Sequence, residues 1–115
     1  MKKITKLTLL ILAVFFLASC KPTRPLFYWG NYSDAYYKYI KKADDKATER
    51  YKTSIVNIIE KSKDWEIKVP PGIYAEYGYL FLQEGNKDEA RKYFDLEMET
   101  YPESKIFMTK IMTNL

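Results

Sequence analysis

The chain has 115 residues, with 19 Lys and Arg, 15 Asp and Glu, one Cys and no His. This length allows one folded domain at most. Because His and Cys supply most zinc and transition-metal sites, and His is the commonest catalytic base, we expect no metal, no cofactor, no internal disulfide and no enzymatic activity.

The start of the chain has the organisation of a secretory signal. Three lysines among the first six residues form a basic head, and residues 7–18 are apolar except for Thr8. A membrane-spanning helix needs about 20 apolar residues, so this run is too short to remain in the bilayer. The pattern predicts a signal peptide over residues 1–19 that is removed from the mature protein.

Leu17, Ala18, Ser19 and Cys20 together resemble the lipobox of bacterial lipoprotein precursors. The resemblance implies that the signal is cut before Cys20, and that this residue receives a diacylglycerol and an amide-linked acyl chain such as palmitate. Two or more acyl chains anchor a protein stably, where one is marginal. Under the enterobacterial sorting rule, an aspartate directly after the cysteine retains a lipoprotein at the inner membrane. This chain has Lys21 there, which favours the outer membrane. The alternative is an ordinary signal with an incidental cysteine.

The mature part of the chain is nearly neutral. Removal of the signal leaves 16 of the 19 basic residues against 15 acidic residues, a net charge of about +1. Nucleic-acid binding requires a basic surface, so we expect no such partner. Residues 20–25 contain two prolines and predict a tether of under ~20 Å, which holds a domain at residues 26–115 close to the membrane.

An aromatic segment, residues 27–32, opens this domain with Phe27, Tyr28, Trp29 and Tyr32. Two interpretations stay open. In the first, the rings pack onto the helical body and close its end. In the second, Tyr28 and Trp29 contact lipid headgroups, where Trp and Tyr are favoured, or a partner protein.

Apolar residues recur with helical spacing through the rest of the domain. Ala47, Tyr51, Ile55 and Ile58 fall on one stripe of a helix, and Ser33 is a favourable N-cap for the helix before it. The predicted helices span about residues 34–42, 47–63, 73–84 and 103–114, with a further helix between Asn86 and Pro102.

Two stretches are less clear. Within residues 64–72, positions 65–69 alternate apolar and polar side chains but have no second strand to pair with, so we expect an extended linker whose three apolar side chains face the core. The last helix has an apolar line with two methionines beside it, which are either core or adaptable contact residues. The apolar side chains of the linker and the last helix are Trp65, Ile67 and Val69, and then Phe107, Met108, Ile111, Met112 and Leu115.

The stretch 74–102 resembles a tetratricopeptide (TPR) unit. Gly78 and Ala90 are small residues at the point where two packed helices would cross. The resemblance implies an all-α fold, a short helical array with one TPR-like hairpin and a C-terminal capping helix. It departs from the family pattern at Lys87 and Glu97. The matching positions are Tyr74, Tyr77, Gly78, Phe81, Gly85, Ala90, Phe94 and Pro102.

A wider resemblance covers nearly the whole mature chain. Residues 27–32, 69–79 and 101–104 are similar to a family of small bacterial lipoproteins with a domain of unknown function. Members are often encoded beside a lipoprotein similar to the curli secretion channel. The resemblance implies a subunit of an outer-membrane complex, with other envelope lipoproteins as partners, a curli-channel-like protein among them. It assigns no catalytic residues.

Binding is the better-supported activity. Asp44 and Asp45 are a candidate acid–base pair, but a solvated turn between helices accounts for them more simply. In the TPR fold the first helix of a unit lines the concave side. Tyr79 and Leu82 would then face outward, and they are too apolar for an idle surface unless the first two helices or the aromatic segment cover them. The predicted partner-binding residues are Ala75, Tyr79, Leu82, Gln83, Tyr28 and Trp29.

These features indicate a lipid-anchored interaction or scaffold protein at the outer membrane, facing the periplasm, as an accessory subunit of an envelope lipoprotein complex. The alternative is a periplasmic peptidoglycan- or polysaccharide-binding module that regulates a cell-wall enzyme. In that alternative Phe27, Tyr28 and Trp29 stack on sugars.

The lipobox interpretation makes the Cys20 thiol the site of lipid attachment. We expect labelled palmitate to enter the wild-type protein and a Lys21→Ala control, and to be absent from Cys20→Ala. Metabolic labelling followed by membrane fractionation measures both the label and the anchoring. Label retained by the Cys20→Ala protein would contradict the interpretation.

Overall fold

A computed structural model describes residues 1, 3–8 and 23–115. Residues 3–8 are helical. Most of the predicted signal peptide, together with Cys20 and Lys21, lies outside the described residues. The predictions for those positions therefore stay predictions.

The domain is all-α, as the sequence predicts, and no strand occurs in the described part of the chain. A short 3₁₀ turn precedes the last helix and replaces its predicted first turn. The elements are α1 (Tyr32–Lys42), α2 (Asp45–Asp64), α3 (Ile73–Gln83), α4 (Lys87–Thr100), a 3₁₀ turn (Pro102–Ser104) and α5 (Lys105–Thr113).

The helix starts follow local capping chemistry, with one correction. Asp44 precedes α2 and its side chain accepts a hydrogen bond from the amide of Ala47 at 2.7 Å. Asn86 caps α4 through the amide of Glu89. Ser33 does not cap α1, because the helix already begins at Tyr32 and Asn31 takes the N-cap position without a side-chain bond.

Two helical hairpins stack in chain order. α1 pairs with α2, α3 pairs with α4, and α5 packs against α4. The predicted stripe of α2 is confirmed, since its Ala47, Tyr51, Ile55 and Ile58 are all buried. The core has two clusters, one formed by Tyr51, Ile55, Ile58, Val69, Ile73 and Leu80, and the other by Ala90, Phe94 and Met108.

The linker between the hairpins is extended, but only part of it points inward. Val69 is buried and Ile67 is half-buried, whereas Trp65 is 42% exposed, so the prediction that all three face the core is wrong for Trp65. The ring of Trp65 instead packs on the edge of Tyr28 at 5.1 Å between centroids. Trp65 therefore packs against the aromatic segment and not into the core.

The second hairpin has a close helix crossing at Gly78. A Cβ at this position would lie 2.8 Å from the ring of Phe94 and 2.9 Å from the carbonyl oxygen of Ala90. Such distances leave no room for any side chain, so glycine is what allows α3 to lie directly on α4. This confirms the crossing that the sequence predicts at Gly78 and Ala90.

Candidate interaction groove

An apolar groove of about 390 Å³ lies between the two hairpins and the last helix, a volume in the range of small ligand pockets. α1 and α2 form one side, α3 the middle, and α5 the other side. We call this feature the groove. It is lined by Tyr36, Tyr39, Tyr51, Ala75, Glu76, Tyr79, Leu80, Phe94, Phe107, Met108 and Ile111.

Three aromatic rings of the groove remain open to solvent. Tyr36 is 39% exposed, Tyr79 is 53% exposed and Phe107 is 64% exposed. The three come from three different helices, α1, α3 and α5. Large apolar side chains that converge from separate elements and stay exposed are typical of interaction sites.

The rings on the α1–α2 side are fixed by their mutual packing. Tyr36 stacks on Tyr32 at 5.7 Å and lies 5.5 Å from Tyr51, and Tyr39 stacks on Tyr51 at 4.8 Å. Paired aromatic rings at these separations add stabilisation beyond the area they bury. This side of the groove is therefore a preformed aromatic surface.

Glu76 supplies the one carboxylate that lines the groove. The hydroxyl of Tyr32 donates to its two oxygens at 2.8 and 2.7 Å, and the hydroxyl of Tyr51 donates to Oε2. Burial and then the hydrogen bond to Glu76 raise the pKa of the Tyr51 hydroxyl far above its usual value. The same two causes, in the same order, raise the pKa of Tyr32. Both hydroxyls thus stay protonated and tie α1 and α2 to α3.

A second carboxylate, Glu97 of α4, sets where α3 begins. Its side chain is 3% exposed and accepts hydrogen bonds from the amides of Gly72 at 2.7 Å and Ala75 at 3.4 Å. A negative charge at a helix N-terminus is favourable, because the first amides have no partner inside the helix. Sequence reasoning noted Glu97 only as a departure from the TPR pattern. Its place opposite the left-handed Gly72 explains that departure.

Of the four predicted partner-binding residues of α3, two line the groove and two lie outside it. Ala75 and Tyr79 line the groove. Leu82 is half-buried and packs against the Ala90–Phe94–Met108 cluster. Gln83 is exposed and its Oε1 accepts a hydrogen bond from Tyr39 at 3.3 Å.

The aromatic segment, residues 27–32, packs largely onto the body. Tyr28 is half-buried against the first core cluster and donates a hydrogen bond to Oδ1 of Asn57 at 3.0 Å. Trp29 is 44% exposed and lies 5.5 Å from Tyr32. The first of the two interpretations therefore holds for Tyr28, while Trp29 keeps an open face outside the groove.

The last helix buries one of its two methionines and leaves a phenylalanine exposed. Met108 is 2% exposed and belongs to the core, whereas Phe107 is 64% exposed at the groove. Of the two alternatives left open for the methionines, core or contact residue, Met108 is a core residue. Apolar side chains surround this helix on several sides, so helical spacing alone does not select the buried one.

The described residues offer little for metal or acid–base chemistry. Asp44 and Asp45 are exposed at the start of α2, where Asp44 acts as the N-cap. Within residues 1, 3–8 and 23–115, no group of three or more acidic, Cys or His side chains is placed to hold a metal ion. In the same residues, no helix has the length and apolar character needed to cross a membrane.

Residues 26–111 match the profile of a protein family described as a domain of unknown function, DUF4810. The chain belongs to this family. No curated protein and no solved structure matches the chain. The matched range contains every residue that lines the groove, from Tyr36 to Ile111.

The raised pKa of Tyr51 predicts a loss of stability at alkaline pH. The unfolded chain releases this proton near pH 10 and the folded chain does not, so its contribution is complete below pH 10 and declines as the pH rises further. We expect Tyr51→Phe to lose about 1–3 kcal/mol at pH 8, because it removes a donor to Glu76. The fall in its unfolding free energy between pH 10 and pH 12 should be shallower than in the wild type.

Urea denaturation at pH 8, 10, 11 and 12 measures this difference. Tyr37→Phe is the matched control, because Tyr37 is 60% exposed and does not line the groove. At pH 8 its unfolding free energy should stay within about 0.5 kcal/mol of the wild-type value. If the unfolding free energy falls equally steeply with pH in the Tyr51→Phe and wild-type proteins, folding does not raise the pKa of the Tyr51 hydroxyl, and the prediction is wrong.

Proposed function

We propose that this protein is a lipid-anchored scaffold of the outer membrane, facing the periplasm, that holds a partner protein in the groove. It acts as an accessory subunit of an envelope lipoprotein complex and carries out no chemistry of its own. The observation that carries the proposal is the set of exposed rings on three helices, Tyr36, Tyr79 and Phe107, around one apolar groove.

The character of these rings supports protein binding. Tyrosine and other large aromatic side chains dominate binding energy at interfaces, because they bury a large area and lose few rotamers. Rings that stay exposed to water add little to the stability of the isolated domain. The rings are also held in position, Tyr36 by its stack on Tyr32 and Tyr79 by the helix that Glu97 caps. A rigid surface of this kind loses little entropy when a partner binds.

The lipid anchor and the groove complement each other in this proposal. A tether of under ~20 Å after Cys20 keeps the groove near the membrane, where other envelope lipoproteins are concentrated. Anchoring two partners to one surface raises their effective concentration, so a groove of modest intrinsic affinity is sufficient.

The polysaccharide-binding alternative has weaker support. It needs open ring faces at Phe27, Tyr28 and Trp29, but Tyr28 is held by Asn57 and Trp65. Phe27 and Trp29 meet edge to face, 6.5 Å apart with 74° between their planes, so they do not form one flat stacking platform. The groove is therefore the better candidate.

Truncating the exposed rings tests the proposal. We expect Tyr79→Ala and Phe107→Ala each to lower recovery of the partner by at least about tenfold when the lipoprotein is purified from membranes, because each removes a central anchor. Quantitative mass spectrometry of the co-purified proteins measures recovery, and circular dichroism verifies that each variant is folded. Re-binding of the purified partner to the purified lipoprotein establishes that the contact is direct.

Tyr37→Ala is the matched control for this experiment. Tyr37 is 60% exposed on α1 but lies outside the groove, so its truncation should leave recovery unchanged. Unchanged recovery with the folded Tyr79→Ala and Phe107→Ala proteins would refute the groove as the docking site. So would an equal loss with Tyr37→Ala.

A further inference from the structure

The carboxylate of Glu76 carries a charge that the rest of the described chain does not neutralise. Five ion pairs occur among the described residues, and none of them includes Glu76. Its hydrogen-bond partners, Tyr32 and Tyr51, are neutral hydroxyls. These hydroxyls give both carboxylate oxygens a donor but do not balance the charge, so a cation brought beside the carboxylate would be favourable.

Three lysines of the first hairpin have partners other than Glu76. Lys38 pairs with Asp34 at 2.6 Å, and Lys41 lies over the ring of Tyr37 at 5.5 Å. Lys52 pairs with Glu84 at the far end of α3. The groove therefore presents a negative charge together with an aromatic surface, and no lysine or arginine is among the residues that line it.

This combination is the chemistry that recognises organic cations. Aromatic faces attract ammonium and guanidinium groups through their quadrupole, and the attraction is largest where water is excluded. A carboxylate beside the rings adds a charge-assisted hydrogen bond, which is stronger than a bond between neutral groups. Tyr36 and Tyr79 provide the ring surface near Glu76, since all three line the same groove.

We propose that the groove receives a lysine or arginine side chain carried by an otherwise apolar segment of the partner protein, with the cationic group directed toward Glu76. The apolar part of the segment covers Ala75, Phe107 and Ile111, and the rings of Tyr36 and Tyr79 flank the stem of the basic side chain. This inference rests on the proposed function and specifies the chemistry of the partner. Charge complementarity at Glu76 is what selects this occupant over a wholly apolar one.

A pair of matched peptides tests the inference. The probes are two acetylated and amidated dodecapeptides of leucine and alanine that differ at one central position, which is lysine in one and norleucine in the other. Norleucine keeps the apolar stem of lysine and lacks only the amine. Binding of the fluorescently labelled peptides to the full-length chain in detergent is measured by anisotropy at low and high salt.

We expect the wild-type protein to bind the lysine peptide at least about tenfold more tightly than the norleucine peptide. Glu76→Gln should abolish this preference, because the amide keeps the shape and loses the charge. Glu99→Gln removes an exposed carboxylate of α4 outside the groove and should leave the preference unchanged. Tyr79→Leu, which keeps apolar area but removes the ring, should reduce the preference and provides a second variant if Glu76→Gln does not fold.

Each other outcome overturns the inference in a recognisable way. Equal binding of both peptides, lost for both in Tyr79→Ala, shows an apolar docking groove without cation recognition, so the inference fails and the proposed function stands. Failure of both peptides to bind overturns the inference, while the purification from membranes still decides the proposed function. Displacement of the lysine peptide by free phosphoethanolamine at equal concentration assigns the groove to a lipid headgroup instead of a protein segment.

Discussion

The close contact of α3 with α4 at Gly78 is the constraint on which the rest of the domain depends. Phe94 and the backbone of Ala90 occupy the space where a side chain at position 78 would be. Glycine in a helix interior costs about 1 kcal/mol relative to alanine, so its presence here needs a compensating gain. That gain is a tight second hairpin, in which the burial of Ala90 and Phe94 is complete or nearly so.

Once one face of α3 lies on α4, the opposite face of α3 is turned toward the first hairpin. Glu97 then reaches the first amides of α3, and Glu76 on the opposite side receives the hydroxyls of Tyr32 and Tyr51 from the first hairpin. Two carboxylates thus fix one helix against both of its neighbours. The groove, with Tyr79 exposed at its edge, is the consequence.

Much of the fold follows from local patterns in the sequence, whereas the groove does not. The buried stripe of α2 and the crossing at Gly78 are predictable because helical spacing and residue size are local properties. The start of α1 was missed because Tyr32 enters the helix with its hydroxyl on Glu76, which is 44 residues away. Glu97 was missed for the same reason, since its partners belong to another helix. The 3₁₀ turn before α5 and the many apolar side chains of α5 leave it to tertiary packing whether Phe107 or Met108 is buried.

The unfolding free energy of Gly78→Ala tests the central contact most directly, because two effects predict opposite signs. Helix propensity alone predicts a gain of about 1 kcal/mol for Gly78→Ala, and the control Asp95→Ala, at an exposed position of α4, should gain up to about 0.7 kcal/mol. Overpacking against Phe94 and Ala90 predicts a loss of about 1–3 kcal/mol. Urea denaturation monitored by circular dichroism should therefore show Gly78→Ala to be less stable than the wild type. A Gly78→Ala protein as stable as the wild type, or more stable, would contradict the close crossing and the groove that is built on it.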